Sequence, residues 1–272
     1  MRVVAVVVHF QNWPRVAEVV TSLRSQTTPP DKIVVVDCQS QDGSRPSLDE
    51  LEVTVVDEAN LGFGAALASG VRAASADAYL LMNHDAVLSP NCLELMTQTL
   101  EHAQYIGAVG PLFLVDGEIN SAGGQVAPRT HRLSHLLSPQ GESPYEVDWL
   151  DGAVTLVRAV AYEHVGGHDP RFFLYYEDAD LGMRMSRFGW QIRTDPRATA
   201  EHSTSGNFHK MGPIRERNVL LLVEKNAPRR VLAARLAWGL VRIARGIFNG
   251  DPRTAERLSG LRLFLTRRWG PR

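Results

Sequence analysis

The 272-residue chain has only two cysteines, Cys38 and Cys92, so no disulfide framework is expected and a reducing, cytoplasmic setting suits it. It has no run of about 18 apolar residues, which excludes an expected membrane-spanning helix. Arg2 is followed at once by the β-branched run Val3–Val8, so no signal peptide is expected either. Repeats and low-complexity tracts are lacking, and 44% hydrophobic content is enough for a real core. Net charge is nearly absent at −1, yet this hides a division. Residues 1–206 hold 14 Lys/Arg against 26 Asp/Glu, whereas residues 207–272 hold 15 against 4. Such a basic end calls for an anionic counterpart: a membrane surface, a phosphate, or the acidic body itself.

What is present is a rhythm. Strand-like Val3–Val8 precedes a stretch with Val16, Val19, Val20 and Leu23 at helical spacing. Lys32–Val36, Val53–Val56 and Tyr79–Met82 read as further strands, and Leu61–Ala74 and Asn91–His102 as helices, the second opened by Ser89-Pro90. Residues 110 to 145 read as loop-rich with short strands. Val147–Val157 resumes strand character, and Ala159–Val165 is a short helix stopped by Gly166-Gly167. Alternation of this kind predicts an α/β fold, a mostly parallel sheet flanked by helices, with a helical C-terminal extension. The predicted division is a body over 1–206 and a basic extension over 207–272. Ligands of such sheets sit beyond the carboxyl ends of the strands. His9, Asp37 and the Asn83-His84-Asp85 run each follow a strand directly, so all are expected on one rim.

Four stretches carry candidate chemistry. In "VVDCQSQDGS" (35–44), Asp37 ends a strand, where a carboxylate can accept from a base N–H or ribose hydroxyls; the plain alternative is an Asx-type turn. "NLGFGAALASG" (60–70) has Gly62 and Gly64 but lacks the third glycine of a dinucleotide fingerprint, leaving a phosphate loop and close helix packing equally open. Asn83-x-Asp85 offers an amide for a ribose hydroxyl and a carboxylate for a divalent cation bridging to phosphates, or else a capped turn before Pro90. In "RFFLYYEDADL" (171–181), acidic residues open a helix, where the dipole favours them, and Asp180 can pair with Arg184. The aromatic wall before them suits a desolvated carboxylate with a raised pKa, as a general base needs. His164 and His168 stand four apart, but Gly166-Gly167 lies between them and no HExxH pattern exists, so they are not taken as a metal pair.

Together these stretches resemble family 2 glycosyltransferases of the GT-A fold, in the rhamnosyltransferase-like branch. The likeness runs through "VVVHFQNW" (6–13), "VVVDCQSQDGS" (34–44), "NLGFGAALASG", "LLMNHD" (80–85), the block from Asp148 to Trp190 and "AEHSTSG" (200–206). His9, Cys38, His84 and Asp151 depart from the residues usual at their places. The resemblance implies an inverting transfer of a sugar, rhamnose among the candidates, from a dTDP-, UDP- or GDP-linked donor to an acceptor glycan or lipid-linked glycan. It implies Asp178 as catalytic base with Glu177 holding the acceptor. His9, Phe10, Gln11, Asp37, Asn60, Gly62, Asn83 and His84 would bind the nucleotide. Asp85 and His202 would bind Mg²⁺ or Mn²⁺, and Trp149, Asp151, Gly152 and Tyr176 would line the acceptor and sugar pocket.

Lys210, Arg215 and Arg217 follow His202 closely and are expected as a lid over the diphosphate. Further on, Leu232, Leu236, Leu240, Ile243 and Ile247 form a narrow apolar stripe, with Arg235, Trp238, Arg242 and Arg245 on another face. That pattern fits a helix at an anionic membrane surface, at the inner face of the cell membrane, or one docked on the acidic body. No nucleic-acid partner is expected. The rival readings are a sugar-nucleotide pyrophosphorylase, whose triphosphate loop "HFQNWPRV" does not provide, and a non-catalytic nucleotide-binding scaffold.

Overall fold

The structure, a computed structural model, describes residues 1–43, 45–202 and 211–270. In chain order the first half gives β1 (Val3–His9), α1 (Trp13–Arg24), β2 (Lys32–Asp37), α2 (Arg45–Glu50), β3 (Thr54–Asp57), α3 (Phe63–Arg72), β4 (Ala78–Asn83), β5 (Ala86–Leu88) and α4 (Cys92–Glu101). There follow β6 (Ile106–Val115), β7 (Glu118–Ser121), β8 (Gly124–Val126), β9 (Leu133–His135), β10 (Tyr145–Glu146), β11 (Val154–Arg158), α5 (Ala159–His164), α6 (Glu177–Arg187) and β12 (Gln191–His202). The basic region forms α7 (Gly212–Asn226), α8 (Arg229–Asn249) and α9 (Thr254–Leu265).

The sheet order is β10-β12-β6-β11-β4-β1-β2-β3. Strand β1 lies near its middle, parallel to β2 and β4, and all seven of its residues are buried. A valine-rich run with no polar alternation is what a strand covered on both faces requires. One face packs against α1 and α4 through Val16, Val19, Val20, Leu23 and Met96. The other packs against α3 and α6 through Ala66, Leu67, Leu181 and Met185. Each such large side chain taken fully from water stabilises the fold by about 1.5–3 kcal/mol.

Two stretches differ from the sequence expectation. Strand β6 runs from Ile106 to Val115 through the centre of the sheet, although Gly110-Pro111 reads as a loop. Its glycines serve packing: a Cβ on Gly107 would lie 2.9 Å from the Trp190 side chain, and one on Gly110 would lie 2.6 Å from Leu150. The pairing of β12 with β6 jumps from Thr194↔Gly110 to Thr199↔Leu112, so the bulge passes Pro111, which has no N–H to offer. The second is Val147–Val157, of which only Val154 onward joins the sheet as β11. Asp148 Oδ2 instead accepts the Val126 N–H at 2.6 Å, and Trp149 bridges to Gly124, tying this segment to the β8–β9 hairpin.

The first helix of the basic region is built into the body. Leu221 and Leu222 of α7 pack with Trp149, Phe172 and Ala179. At its far end Lys225 Nζ donates to Asp169 Oδ2 (2.5 Å) and to Asp180 (2.8 Å), and Asn226 Nδ2 donates to Asp180 Oδ1 (3.0 Å). Asp180 also accepts from Arg184 Nε at 2.8 Å, the expected one-turn pair.

Candidate active site

The register brings the strand ends together. His9 pairs with Asp37 across β1 and β2, and Val8 pairs with Asn83 across β1 and β4. Strand β11 runs antiparallel to β4, so Asp151 and Gly152, just before it, reach the same rim; Asn83 N–H donates to Ala153 O at 3.0 Å. His202 ends β12 opposite Ala86. Asp37 is 4% exposed and holds its own turn, its Oδ1 accepting the Ser40 N–H at 3.1 Å. Ser40 Oγ in turn accepts the Gln11 N–H at 2.8 Å, joining the exits of β1 and β2. Phe10 stands half exposed above them.

His9 is fully buried and meets the His84 ring edge-on, with centroids 5.5 Å apart. His84 Nδ1–H donates to Val8 O at 3.2 Å. Burial, with His84 beside it, holds the His9 imidazole below its ordinary pKa. The next loop, with Asn60 half-buried, places Gly62 at φ 110°. A Cβ on Gly62 would lie 2.2 Å from the Phe173 carbonyl oxygen, and the Phe63 N–H donates to that same oxygen at 2.9 Å. Close packing against the aromatic stretch thus accounts for this glycine.

Asp85 and His202 meet on the rim, Oδ1 to Nε2 at 3.3 Å. Burial alone would raise the Asp85 carboxyl, but the imidazole leaves it lowered; for His202 burial is outweighed by Asp85, and its pKa is raised. Asp85 Oδ1 is buried and accepts no hydrogen bond of good geometry. A carboxylate oxygen left so, beside an imidazole nitrogen, fits the donor set of a divalent cation. Among the described residues no group of three or more His, Cys, Asp or Glu is placed to hold a metal ion. These two side chains could therefore supply only part of a coordination shell, with phosphate oxygens and water for the rest.

Asp178 lies at the start of α6, held from both sides: Gly152 N–H donates to Oδ2 (3.1 Å) and Ala179 N–H to Oδ1 (2.7 Å). Burial, and then the charge of Asp151, push its carboxyl up to about 6. Glu177 is 4% exposed, its Oε2 has no hydrogen bond, and burial with Asp178 beside it raises its pKa well above the usual range. Adjacent carboxyls oppose each other's ionisation. Both are pushed toward the neutral form, Glu177 by burial and Asp178 beside it, Asp178 by burial and the charge of Asp151.

His135, in the β8–β9 hairpin, is a site residue that sequence reasoning missed. Its Nδ1 lies 3.4 Å from Asp151 Oδ2 and 3.1 Å from Ser121 Oγ, and its ring packs edge-on to Trp149 at 4.8 Å. Asp151 raises its pKa above the ordinary imidazole value. Trp149 is 4% exposed, a wall of the site and not its surface.

Tyr175 and Tyr176 both have φ 72°, a conformation costly for residues with side chains. Asn218 of α7 holds this turn, its Nδ2 donating to Leu174 O (2.9 Å) and Tyr175 O (2.8 Å). Of the expected lid, Arg215 lies over the Tyr175 ring at 5.6 Å. Arg217 corrects that expectation: it is 1% exposed and donates to Asn218 Oδ1 (2.9 Å), Arg268 O (3.2 Å) and Arg171 O (3.3 Å). A guanidinium committed to these acceptors pins the C-terminal segment to α7. Lys210 and most of "AEHSTSG" lie outside the described residues.

Residues 4–148 match the model of the family "Glycosyl transferase family 2". An N-acetylglucosaminyl-diphospho-decaprenol L-rhamnosyltransferase of Mycobacterium tuberculosis is 29% identical, over 72% of this chain and 74% of its own. The fold is shared with GalNAc-T7 solved with UDP, GalNAc and Mn²⁺ (TM-score 0.69, 17% identity, 82% of this chain and 48% of that one). It is shared also with the mannosyltransferase PcManGT from Pyrobaculum calidifontis solved with GDP-Man and Mn²⁺ (TM-score 0.64, 16% identity, 98% and 88%). A family match over more than half of the chain, on a sheet of this order, makes the protein a member of glycosyl transferase family 2, an enzyme of the GT-A fold that takes sugar from a nucleotide-sugar donor.

Proposed function

We propose that this enzyme transfers a hexose of the rhamnose class, with inversion, to a hydroxyl of a prenyl-diphosphate-linked sugar. Asp178 is the general base. The observation that carries this is the seat of Asp178: an amide-anchored carboxylate raised to about 6, on the same rim as Asp37, Asn83, Asp85 and His202. The M. tuberculosis relative, named for L-rhamnose transfer to a decaprenol-diphosphate acceptor, supports the donor and acceptor classes.

In the reaction, the acceptor oxygen forms a bond to the anomeric carbon as its proton passes to Asp178. The bond from that carbon to the donor phosphate breaks on the opposite face, and the nucleoside diphosphate departs. One attack from one face inverts the anomeric centre, and a single positioned carboxylate suffices. Asp37 and Asn83 hold the nucleoside, and Glu177 helps to hold the acceptor. Asp85 and His202 would hold a divalent cation, Mg²⁺ or Mn²⁺, which supplies positive charge to the leaving diphosphate. Around the pocket, Gly152 fixes Asp178, and Asp151 with His135 sets the charge beside it.

Exposed apolar side chains on α8, including Trp238, Leu240, Val241, Ile247 and Phe248, share the helix with exposed Arg229 and Arg230 at its start and Arg245, which lies over the Trp238 ring. That chemistry matches an anionic lipid surface, where a prenyl-linked acceptor resides. No described helix is long and apolar enough to cross a membrane.

The decisive experiment is Asp178→Asn assayed with nucleotide-linked rhamnose and a prenyl-diphosphate-linked N-acetylglucosamine. Loss of transfer by about 10²-fold or more, with nucleotide affinity retained, is expected. Undiminished transfer would end the assignment, and wild-type binding without turnover on any acceptor would favour the scaffold reading.

A further inference from the structure

Beside the aromatic turn, the three C-terminal helices border an open cavity of about 440 Å³. That lies within the range of small-ligand sites, about 300–1,000 Å³. Four arginines line it, Arg215, Arg235, Arg242 and Arg253, against two glutamates, Glu216 and Glu256. Glu216 reaches Arg242 at 3.7 Å. Glu256 is turned toward the start of α7, where a Cβ on Gly212 would fall 2.3 Å from its Oε2. Arg235 donates to Thr130 O at 3.3 Å, an uncharged acceptor. The lining therefore keeps an excess of positive charge, in planar forks that match phosphate oxygens. Tyr176 also borders this cavity, two residues before Asp178.

We propose that this cavity binds the diphosphate of the lipid-linked acceptor, the group that joins the acceptor sugar to its prenyl chain. The proposal rests on the acceptor class given above. The donor's diphosphate belongs at Asp85 and His202, so an acceptor bringing a second diphosphate needs a separate anion site. With the acceptor diphosphate among the arginines, its sugar extends past Tyr176 toward Asp178. A cleft that shares Arg235 and Arg242 with the cavity measures only about 50 Å³. It has no room for a prenyl chain, which leaves the outer apolar side of α8, reached past Trp238.

The test is the double variant Arg235→Gln/Arg253→Gln, which changes one half-buried and one exposed residue away from the strand rim. KM is measured for a prenyl-diphosphate-linked sugar and for a short alkyl glycoside of the same sugar. The first should rise about tenfold or more, while the second, and slow hydrolysis of the donor, stay near wild type. Equal effects on both acceptors, or on neither, overturn the proposal. Binding of inorganic pyrophosphate in EDTA, which denies the rim a cation, gives a readout independent of catalysis and should weaken in the same variant. Arginine-dependent pyrophosphate binding without transfer to any prenyl-diphosphate acceptor would remove the acceptor reading and leave the anion site standing. Normal KM values in the variant would remove the site and leave the acceptor reading. Dependence on these arginines only for anionic phospholipid vesicles would reassign them to lipid headgroups and also overturn it.

Discussion

At the scale of single residues, Asp178 makes the enzyme's pH dependence predictable. With its carboxyl pushed up to about 6 by burial and by Asp151, the proposed base is protonated below that pH. Turnover should fall about tenfold per pH unit on the acid side. Asp151→Asn removes a negative charge that opposes ionisation, so the acid limb should move to lower pH. An unmoved limb, measured as kcat against pH, would show that Asp151 does not act on the base. The sign for stability is opposite to that of a salt-bridged carboxylate. A folded pKa above the unfolded one means that stability declines as pH rises from about 4 through about 6. Asp178→Asn removes the cost of that buried charge but leaves one of the Gly152 and Ala179 N–H donors facing an amide nitrogen that cannot accept. The two effects oppose, so thermal unfolding at neutral pH is measured beside activity. Asp37, Asp85 and Asp178 were legible in the sequence because each follows an apolar run or opens a helix. His135 was not, since its place beside Asp151 depends on a hairpin that no local periodicity announces.

At the scale of elements, α7 belongs to the turn before Asp178 as much as to the basic extension. Asn218 is fully buried and holds the carbonyls of Leu174 and Tyr175 in a conformation that two tyrosines would otherwise resist. Asn218→Ala strands those carbonyls and the Arg217 Nε donor, at a cost of about 1–3 kcal/mol. The turn should relax, lowering kcat more than it raises the KM for donor, because the residues proposed to hold the donor lie on other strands. Chemical denaturation and steady-state kinetics check the two halves of this. A loss of stability with kcat intact would reduce Asn218 to a packing residue. The parallel strands and the helices α1, α3 and α4 of the first half were readable from their apolar spacing, but α2 was not. The expected Ser89-Pro90 cap is absent: α4 begins at Cys92 after Asn91 with no side-chain cap, and Ser89 Oγ finds no partner. Strand β6 was not readable either, because the residues that mark a loop, Gly110 and Pro111, are used here for contact with Leu150 and for a bulge in the neighbouring strand. The stripe on α8 was only half readable. Leu232, Leu236 and Ile243 turn inward, while Leu240 and Ile247 stay exposed, a division set by α7 and α9 and not by periodicity.

At the scale of the whole molecule, the charge division becomes an orientation. Helix α8 packs on α7 and α9, and its exposed apolar side leads away from them, with Phe248 91% and Ile247 70% exposed. Apolar side chains this open, on a helix that also carries exposed arginines, gain from insertion at a lipid boundary, and each basic residue near anionic lipid adds about 1 kcal/mol. Binding should therefore need both components. Vesicles containing phosphatidylserine or phosphatidylglycerol should capture the enzyme at low salt, with capture falling as ionic strength rises. Ile247→Ser/Phe248→Ser should weaken it without altering transfer to a water-soluble acceptor, because neither residue borders the rim or the arginine-lined cavity. On vesicle-bound acceptor the same variant should turn over more slowly, since it reaches the lipid less often. Capture that is indifferent to salt and to both substitutions would separate α8 from the membrane and leave its apolar side to another partner.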